Sequence, residues 1–215
     1  MSEPAQADTK SMLSNSVGSF AELVAAGTPT PGGGSVAAYC GVLASALGQM
    51  MCNITIGKPK YAAVEPRLRE INSRLGRLGA RLRELIAEDA ASFEAVLRAY
   101  RLAKDSDEQK SERATQIQIA LQGAVDVPLE TARRSLELLT LLRELADIGA
   151  ANALSDVAVG AGLARAAVTG ACYNVAVNLN SLSDRDAATL LRKQMNAMTT
   201  SSQAIAEEID AKIKT

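Results

Sequence analysis

The stretch Leu75-Gly-Arg-Leu78-Gly-Ala-Arg-Leu82-Arg-Glu-Leu85-Ile-Ala-Glu-Asp89-Ala-Ala-Ser-Phe93-Glu-Ala-Val96-Leu-Arg-Ala-Tyr100 sets the architecture. Its leucines and aromatics recur at spacings of three and four, the rhythm of a bundle helix with one apolar face. The periodicity predicts a long helix from about Val64 to Leu102. One member of that face does not suit a core. Positions 78, 82, 85, 89, 93, 96 and 100 share a side, and position 89 is aspartate. A carboxylate there must be paired, protonated or turned toward a cavity, because burying a bare charge is prohibitively costly. Two readings stand: an ion pair with an arginine of a neighbouring helix, or a cleft carboxylate of raised pKa fit for proton transfer.

Upstream, Thr28-Pro-Thr-Pro31-Gly32-Gly33-Gly34-Ser35 opens onto a small-residue apolar run. The prolines stiffen the approach, and the glycines let the main chain come close to whatever lies against it. Ser35 stands where an N-cap is expected. A glycine-rich loop at a helix start offers N–H groups and a positive dipole end to an anion or a polarised carbonyl. The spacing matches neither a Walker A loop nor a dinucleotide fingerprint, and a plain tight turn is the alternative. The helix that follows, about Ser35–Thr55, carries Ala37, Gly41, Ala44, Gly48 and Cys52 on one flat stripe. Such a stripe packs closely against another helix, and a symmetric subunit interface is one form of that packing. The run from Val36 to Cys52 is too short and too weakly apolar for a membrane span and is expected to be a buried helix.

The rest of the chain is read as helical too. A leader over 1–13 is expected to be disordered, followed by a short helix over about Ser14–Ala26. Gly57-Lys58-Pro59-Lys60-Tyr61 breaks the small-residue helix. Further helices are expected over about Asp107–Gly123, from Pro128 to about Ile148 with Gly149 as terminator, from Ser155 to about Leu179, and from Ser183 onward. No strand alternation competes. The expectation is an all-α chain: one domain over 14–215 forming an elongated antiparallel helical bundle.

Composition narrows the chemistry. The 215 residues carry a net charge of −1 and 3% aromatic residues without tryptophan, which gives no case for nucleic acid or an anionic membrane. There is no histidine. Ser-His-Asp and Cys-His machinery and histidine-based zinc sites are thereby excluded, leaving Asp, Glu, Lys, Tyr and Cys for any acid–base work. Three cysteines without paired spacing, and no secretory signal, point to a reduced, cytoplasmic protein.

A second anomaly lies on the helix opening at Ser155-Asp156. Its face at 156, 160, 163, 167, 170, 174 and 178 reads Asp, Gly, Leu, Ala, Gly, Asn, Asn. Asp156 falls in the first turn, where a dipole-favoured cap is the plain role. Asn174 and Asn178 can satisfy each other or a broken backbone, yet two amides and a carboxylate exceed what packing needs. Asp156 and Asn178 stand about 33 Å apart at about 1.5 Å per residue. Either one of them is structural, or a two-fold dimer brings opposite ends of two such helices together.

These residues carry a resemblance. Pro31-Gly-Gly-Gly-Ser-Val-Ala-Ala38, Met51-Cys-Asn-Ile-Thr-Ile-Gly-Lys58 with Lys60-Tyr61, Glu88-Asp-Ala-Ala-Ser-Phe93, and Ser155-Asp156 with Asn174 and Asn178 resemble the formiminotetrahydrofolate cyclodeaminase / methenyltetrahydrofolate cyclohydrolase family, from about Phe20 to Leu182. The resemblance implies an all-helical homodimeric enzyme acting on the one-carbon bridge of tetrahydrofolate, with no metal and no cofactor beyond the folate substrate. It implies Asp89 and Asp156 as proton carriers or cation stabilisers. Gly32, Gly33, Gly34, Ser35, Lys58, Lys60, Asn152, Asn174 and Asn178 would position the folate. The segments Met51–Lys58 and Ala99-Tyr100-Arg-Leu102 look more like stand-alone cyclohydrolases, which favours hydrolysis of 5,10-methenyltetrahydrofolate to 10-formyltetrahydrofolate. Cyclodeamination of 5-formimidoyltetrahydrofolate and a non-catalytic folate-binding or scaffold role are the alternatives. The chain departs from the family at Leu102-Ala103-Lys104, where Leu-Pro-Lys is usual, and at Gly149-Ala-Ala-Asn152, where Gly-Asn-x-Asn is.

Overall fold

Residues 17–213 are described in the computed structural model, so the expected leader over 1–13 and the start of the expected first helix lie outside them. Six α-helices follow in order: α1 Val17–Ala25, α2 Gly33–Thr55, α3 Glu65–Tyr100, α4 Asp107–Ile148, α5 Leu154–Leu179 and α6 Arg185–Ile213. Single 3-10 turns at Pro59–Tyr61 and Ala151–Ala153 join α2 to α3 and α4 to α5. No strand occurs among the described residues.

Four helices form an up-down-up-down ring in which α2 packs on α3 and α5, and α4 closes the other side. α6 lies along α4 and α5. The small stripe of α2 is buried as expected: a Cβ on Gly48 would stand 2.8 Å from both Leu142 and Leu75, so only glycine admits these leucines. Leu75, Leu82, Leu85, Leu138, Leu139, Leu142 and Leu145 fill the central core. A second cluster, with Ile117, Leu121, Val125, Leu129, Val175 and Leu179, lies toward the end where α2 begins. By length and composition alone α2 is long and apolar enough to cross a membrane, more so than expected, but half of its apolar stretch is buried against the bundle, which bears out the expected buried helix.

The two helices expected over 107–123 and 128–148 are one helix of 42 residues that runs through Pro128. A proline inside a helix leaves the carbonyl four residues earlier without its backbone donor. Here the carbonyl of Ala124 accepts a hydrogen bond from Asn178 Nδ2 of α5 at 2.9 Å, so a side chain replaces the missing N–H. Tertiary packing overrides the break that the sequence signals.

The α3–α4 contact carries a charge ladder that the apolar pattern does not reveal. Arg67 binds Glu144 at 2.6 Å, Arg74 binds Glu137 at 3.0 Å, and Arg81 binds Glu130 at 2.9 Å. Arginines at 67, 74 and 81 meet glutamates at 144, 137 and 130, one heptad per rung in opposite directions, which fixes the antiparallel register. Further along α3, Phe93 and Tyr100 are exposed rather than core, so the apolar face outruns the elements covering it.

Candidate active site

The glycine loop, Asp89 and the two asparagines come together. α2 begins at Gly33 with Gly32 as its N-cap, so Ser35 is not the cap but a fully buried residue of the first turn. Its hydroxyl lies 2.9 Å from Asp89 Oδ2 and 3.1 Å from the Ile86 carbonyl, and its backbone N–H also binds the Asp89 carboxylate. Gly32 has no side chain to cap α2, and Asp89 supplies the anionic cap from another helix. Gly34 permits this approach: a Cβ there would sit 2.0 Å from Asp89 Oδ1.

The expected alternative for Asp89, an arginine partner, is absent: among the described residues no cationic side chain pairs with it. Burial pushes the Asp89 carboxyl above the ordinary aspartate range, and the two Ser35 hydrogen bonds only partly oppose that. The Ser35 hydroxyl has one proton and two acceptors within reach. Beside an ionised Asp89 it donates to Oδ2. Once Asp89 is protonated it can turn to the Ile86 carbonyl and accept from the new carboxyl O–H. The arrangement takes up a proton without stranding a buried polar group.

Asn174 closes the opposite side, its amide nitrogen 3.5 Å from where a Gly33 Cβ would lie. Asn174 Nδ2 donates to the Gly170 carbonyl at 2.9 Å. Asn178 Nδ2 donates to Ala124 and, at 3.1 Å, to the Asn174 carbonyl. Both amide nitrogens thus donate to backbone carbonyls, and Asn174 Oδ1, 3.9 Å from where a Gly33 Cβ would lie, is an acceptor on the glycine-loop side. Past Asp89, α3 runs on for about 16 Å at about 1.5 Å per residue, carrying exposed Phe93 one turn away.

The remaining expected site residues lie at the other end. Thr55, fully buried at the end of α2, donates to the Met51 carbonyl at 2.7 Å and accepts the Ala150 N–H at 3.0 Å. That tie brings the segment bearing Asn152, and with it Asp156 in the first turn of α5, to the end of α2 from which Lys58 and Lys60 emerge. Lys58, Lys60 and Asn152 are exposed and Asp156 is half-buried; Lys60 Nζ lies 5.4 Å from the centre of the Tyr61 ring. The length of α2 therefore separates Asp156 from Asp89, and one chain does not bring the two aspartates together. A cavity of about 430 Å³ opens between α2 and α3 near that far end, lined by Gln49, Asn53, Ile56, Arg69, Asn72, Ser73 and Gly76. None of these stands out as a site residue in the sequence, although Asn53 and Ile56 lie within the Met51–Lys58 motif, since polar residues on a helix flank look like ordinary solvated surface. Among the described residues no three His, Cys, Asp or Glu side chains gather as a metal-ligand set.

A family profile described as formiminotransferase-cyclodeaminase matches residues 16–197, nearly all of the bundle. The chain belongs to the formiminotransferase-cyclodeaminase family. It is 39% identical over 195 residues to a methenyltetrahydrofolate cyclohydrolase of Methylorubrum extorquens, covering 91% of this chain and 94% of that one. It is 35% identical to the formimidoyltransferase-cyclodeaminase of Mus musculus over 84% of this chain, but spans only 34% of that longer protein. Among solved structures of the family, the formiminotetrahydrofolate cyclodeaminase of Thermotoga maritima superposes with a TM-score of 0.76 at 32% identity, over 93% of this chain and 94% of that one. Formiminotransferase-cyclodeaminase relatives thus share both fold and sequence with this chain along nearly its whole described length, and they are enzymes of folate one-carbon chemistry.

Proposed function

We propose that the protein hydrolyses 5,10-methenyltetrahydrofolate to 10-formyltetrahydrofolate, with Asp89 as the base. One observation carries the reading: a largely buried carboxylate without a cationic partner, held by Ser35 against a helix start. The substrate's amidinium carbon is cationic, so it supplies the positive charge that Asp89 lacks. Asp89 takes a proton from water as the oxygen attacks the carbon between N5 and N10. The tetrahedral adduct then loses its second O–H proton as the bond to N5 breaks and the formyl group stays on N10. Asp89 returns its proton to N5, which carried none in the substrate, and the second proton is released to solvent. The Oδ1 atom of Asn174 suits an N–H donor of a pterin edge, and the N–H groups of the glycine loop suit its carbonyl.

The protein works as a homodimer in this reading. α2 and α5 are apolar nearly all round, yet their outward faces expose Leu43, Val159, Tyr173 and Val177, the last two at 70%. Helices of that kind belong in an interior. A two-fold axis across the bundle would set the partner subunit's Asp156, Lys58, Lys60 and Asn152 beside the Asp89 cluster. The charge of those lysines suits the folate glutamate. No cofactor beyond folate is needed, and three free cysteines suit a reducing cytoplasm.

Cyclodeamination of 5-formimidoyltetrahydrofolate is the second reading, favoured by the Thermotoga neighbour, which this chain matches over nearly its full length. Both reactions pass a tetrahedral carbon between N5 and N10. The deciding assay follows the methenyl chromophore: the protein should bleach it, and Asp89→Asn should keep the fold and lose most of the rate. Appearance of the chromophore from the formimidoyl substrate, with ammonia released, would replace the first reading with the second. Neither signal, with no folate-induced rise in melting temperature, would leave a scaffold.

A further inference from the structure

Asn178 stands among residues whose family resemblance suggests direct folate contact, but its amide is committed elsewhere. Pro128 cannot donate to the Ala124 carbonyl, and Asn178 Nδ2 reaches that carbonyl at 2.9 Å from the neighbouring helix. The same nitrogen lies 3.1 Å from the carbonyl of Asn174. One amide thereby ties the interrupted turn of α4 to the turn of α5 that holds Asn174 against Gly33. Val125 and Leu129 of α4 pack with Val175 and Leu179 of α5 around this tie, so the hydrogen bond sits in an apolar setting where an unpaired carbonyl is costly.

We propose that Asn178 is a positioning residue: it replaces the hydrogen bond that Pro128 lacks, and through that bond fixes the place of Asn174 at the glycine loop. Pro128 and Asn178 form one device, a break in a helix and its repair from outside. With alanine at 128 the backbone would supply its own donor, and the repair would become unnecessary.

A double-mutant cycle over native protein, Asn178→Ala, Pro128→Ala and the double variant tests this, because losses of packing at each position cancel in the difference. The urea midpoint should fall in Asn178→Ala, and that fall should shrink by at least half when alanine stands at 128. An equal fall in both backgrounds overturns the proposal. If Asn178→Ala does not fold, Asn178→Asp keeps the shape, removes the donor and completes the same cycle. The second measurement rests on the proposed folate activity. KM for 5,10-methenyltetrahydrofolate should rise several-fold in Asn178→Ala with kcat changing less, and the double variant should return KM toward the native value. A KM that stays raised in the double variant means that Asn178 touches substrate itself and refutes the positioning role. A protein silent toward folate would fail the functional reading alone, since the stability cycle needs no substrate.

Discussion

At Asp89 a single methyl group decides between two geometries. Gly34→Ala would place a Cβ 2.0 Å from Asp89 Oδ1, and the short carboxylate arm would swing away from Ser35 rather than displace backbone. Gly33→Ala meets Asn174 only at 3.5 Å, an ordinary contact. We expect Gly34→Ala to fold at a cost of about 1–3 kcal/mol and to lose about 100-fold in turnover, the scale of a misplaced catalytic group. Gly33→Ala should change the rate far less, and parallel urea melts and initial rates would separate the two. The pH response of Asp89 follows from its raised pKa. A carboxyl easier to protonate in the folded state adds stability at low pH, and that contribution disappears as pH rises through the folded pKa. The native protein should therefore lose stability relative to Asp89→Asn on going from about pH 4 to about pH 8. Denaturant midpoints of both proteins across that span give the sign directly. In turnover the same shift places the acid limb of kcat/KM above the ordinary aspartate range, and Asp89→Asn should abolish that limb.

Between α3 and α4 the question becomes one of register. Each rung of the Arg67–Glu144, Arg74–Glu137 and Arg81–Glu130 ladder is partly exposed and contributes only about 0.2–1 kcal/mol, so the ladder selects an alignment more than it supplies stability. Arg74→Glu should lower the thermal midpoint by placing like charges opposite each other. Adding Glu137→Arg should recover most of the loss, whereas Glu137→Arg alone should not be tolerated better than Arg74→Glu. The ladder also shows what a periodic reading leaves out. Leucine spacing makes α3 legible because one covered face is a local property. Its partner rungs are 49 to 77 positions away and become visible only when the antiparallel pairing is known. Pro128 misleads for the same reason: its helix-breaking tendency is local, and its remedy in Asn178 comes from another helix. Asp89 was recognisable as an intruder on an apolar face, but its partner was not. Ser35 looks like a local cap in sequence and proves to be a buried donor across 54 positions.

For the whole molecule, the distribution of site residues is the central fact. The glycine loop, Asp89, Asn174 and Asn178 occupy the level where α2 begins. Lys58, Lys60, Asn152 and Asp156 occupy the end where it stops, a full helix length of about 33 Å away. A folate cannot use both groups from one chain, whereas a symmetric antiparallel pairing of the exposed α2–α5 faces would build two composite sites, each drawing on both subunits. That arrangement makes a quantitative prediction. Asp89→Asn and Asp156→Asn should each lose most of the rate as homodimers. In a mixed dimer one site would carry both substitutions and the other would carry neither. Random exchange of equal amounts yields mixed dimers for half the population, each with one intact site of two, so the mixture should regain about one quarter of the native rate. Sites contained within single chains would regain nothing on mixing. Leu43→Glu, which sets a charge into the proposed contact, should shift the sedimentation profile toward monomer and lower the rate at dilute protein while leaving helical content intact. Recovery of that rate at higher protein concentration would tie activity to assembly, because a composite site exists only for as long as its two halves are held together.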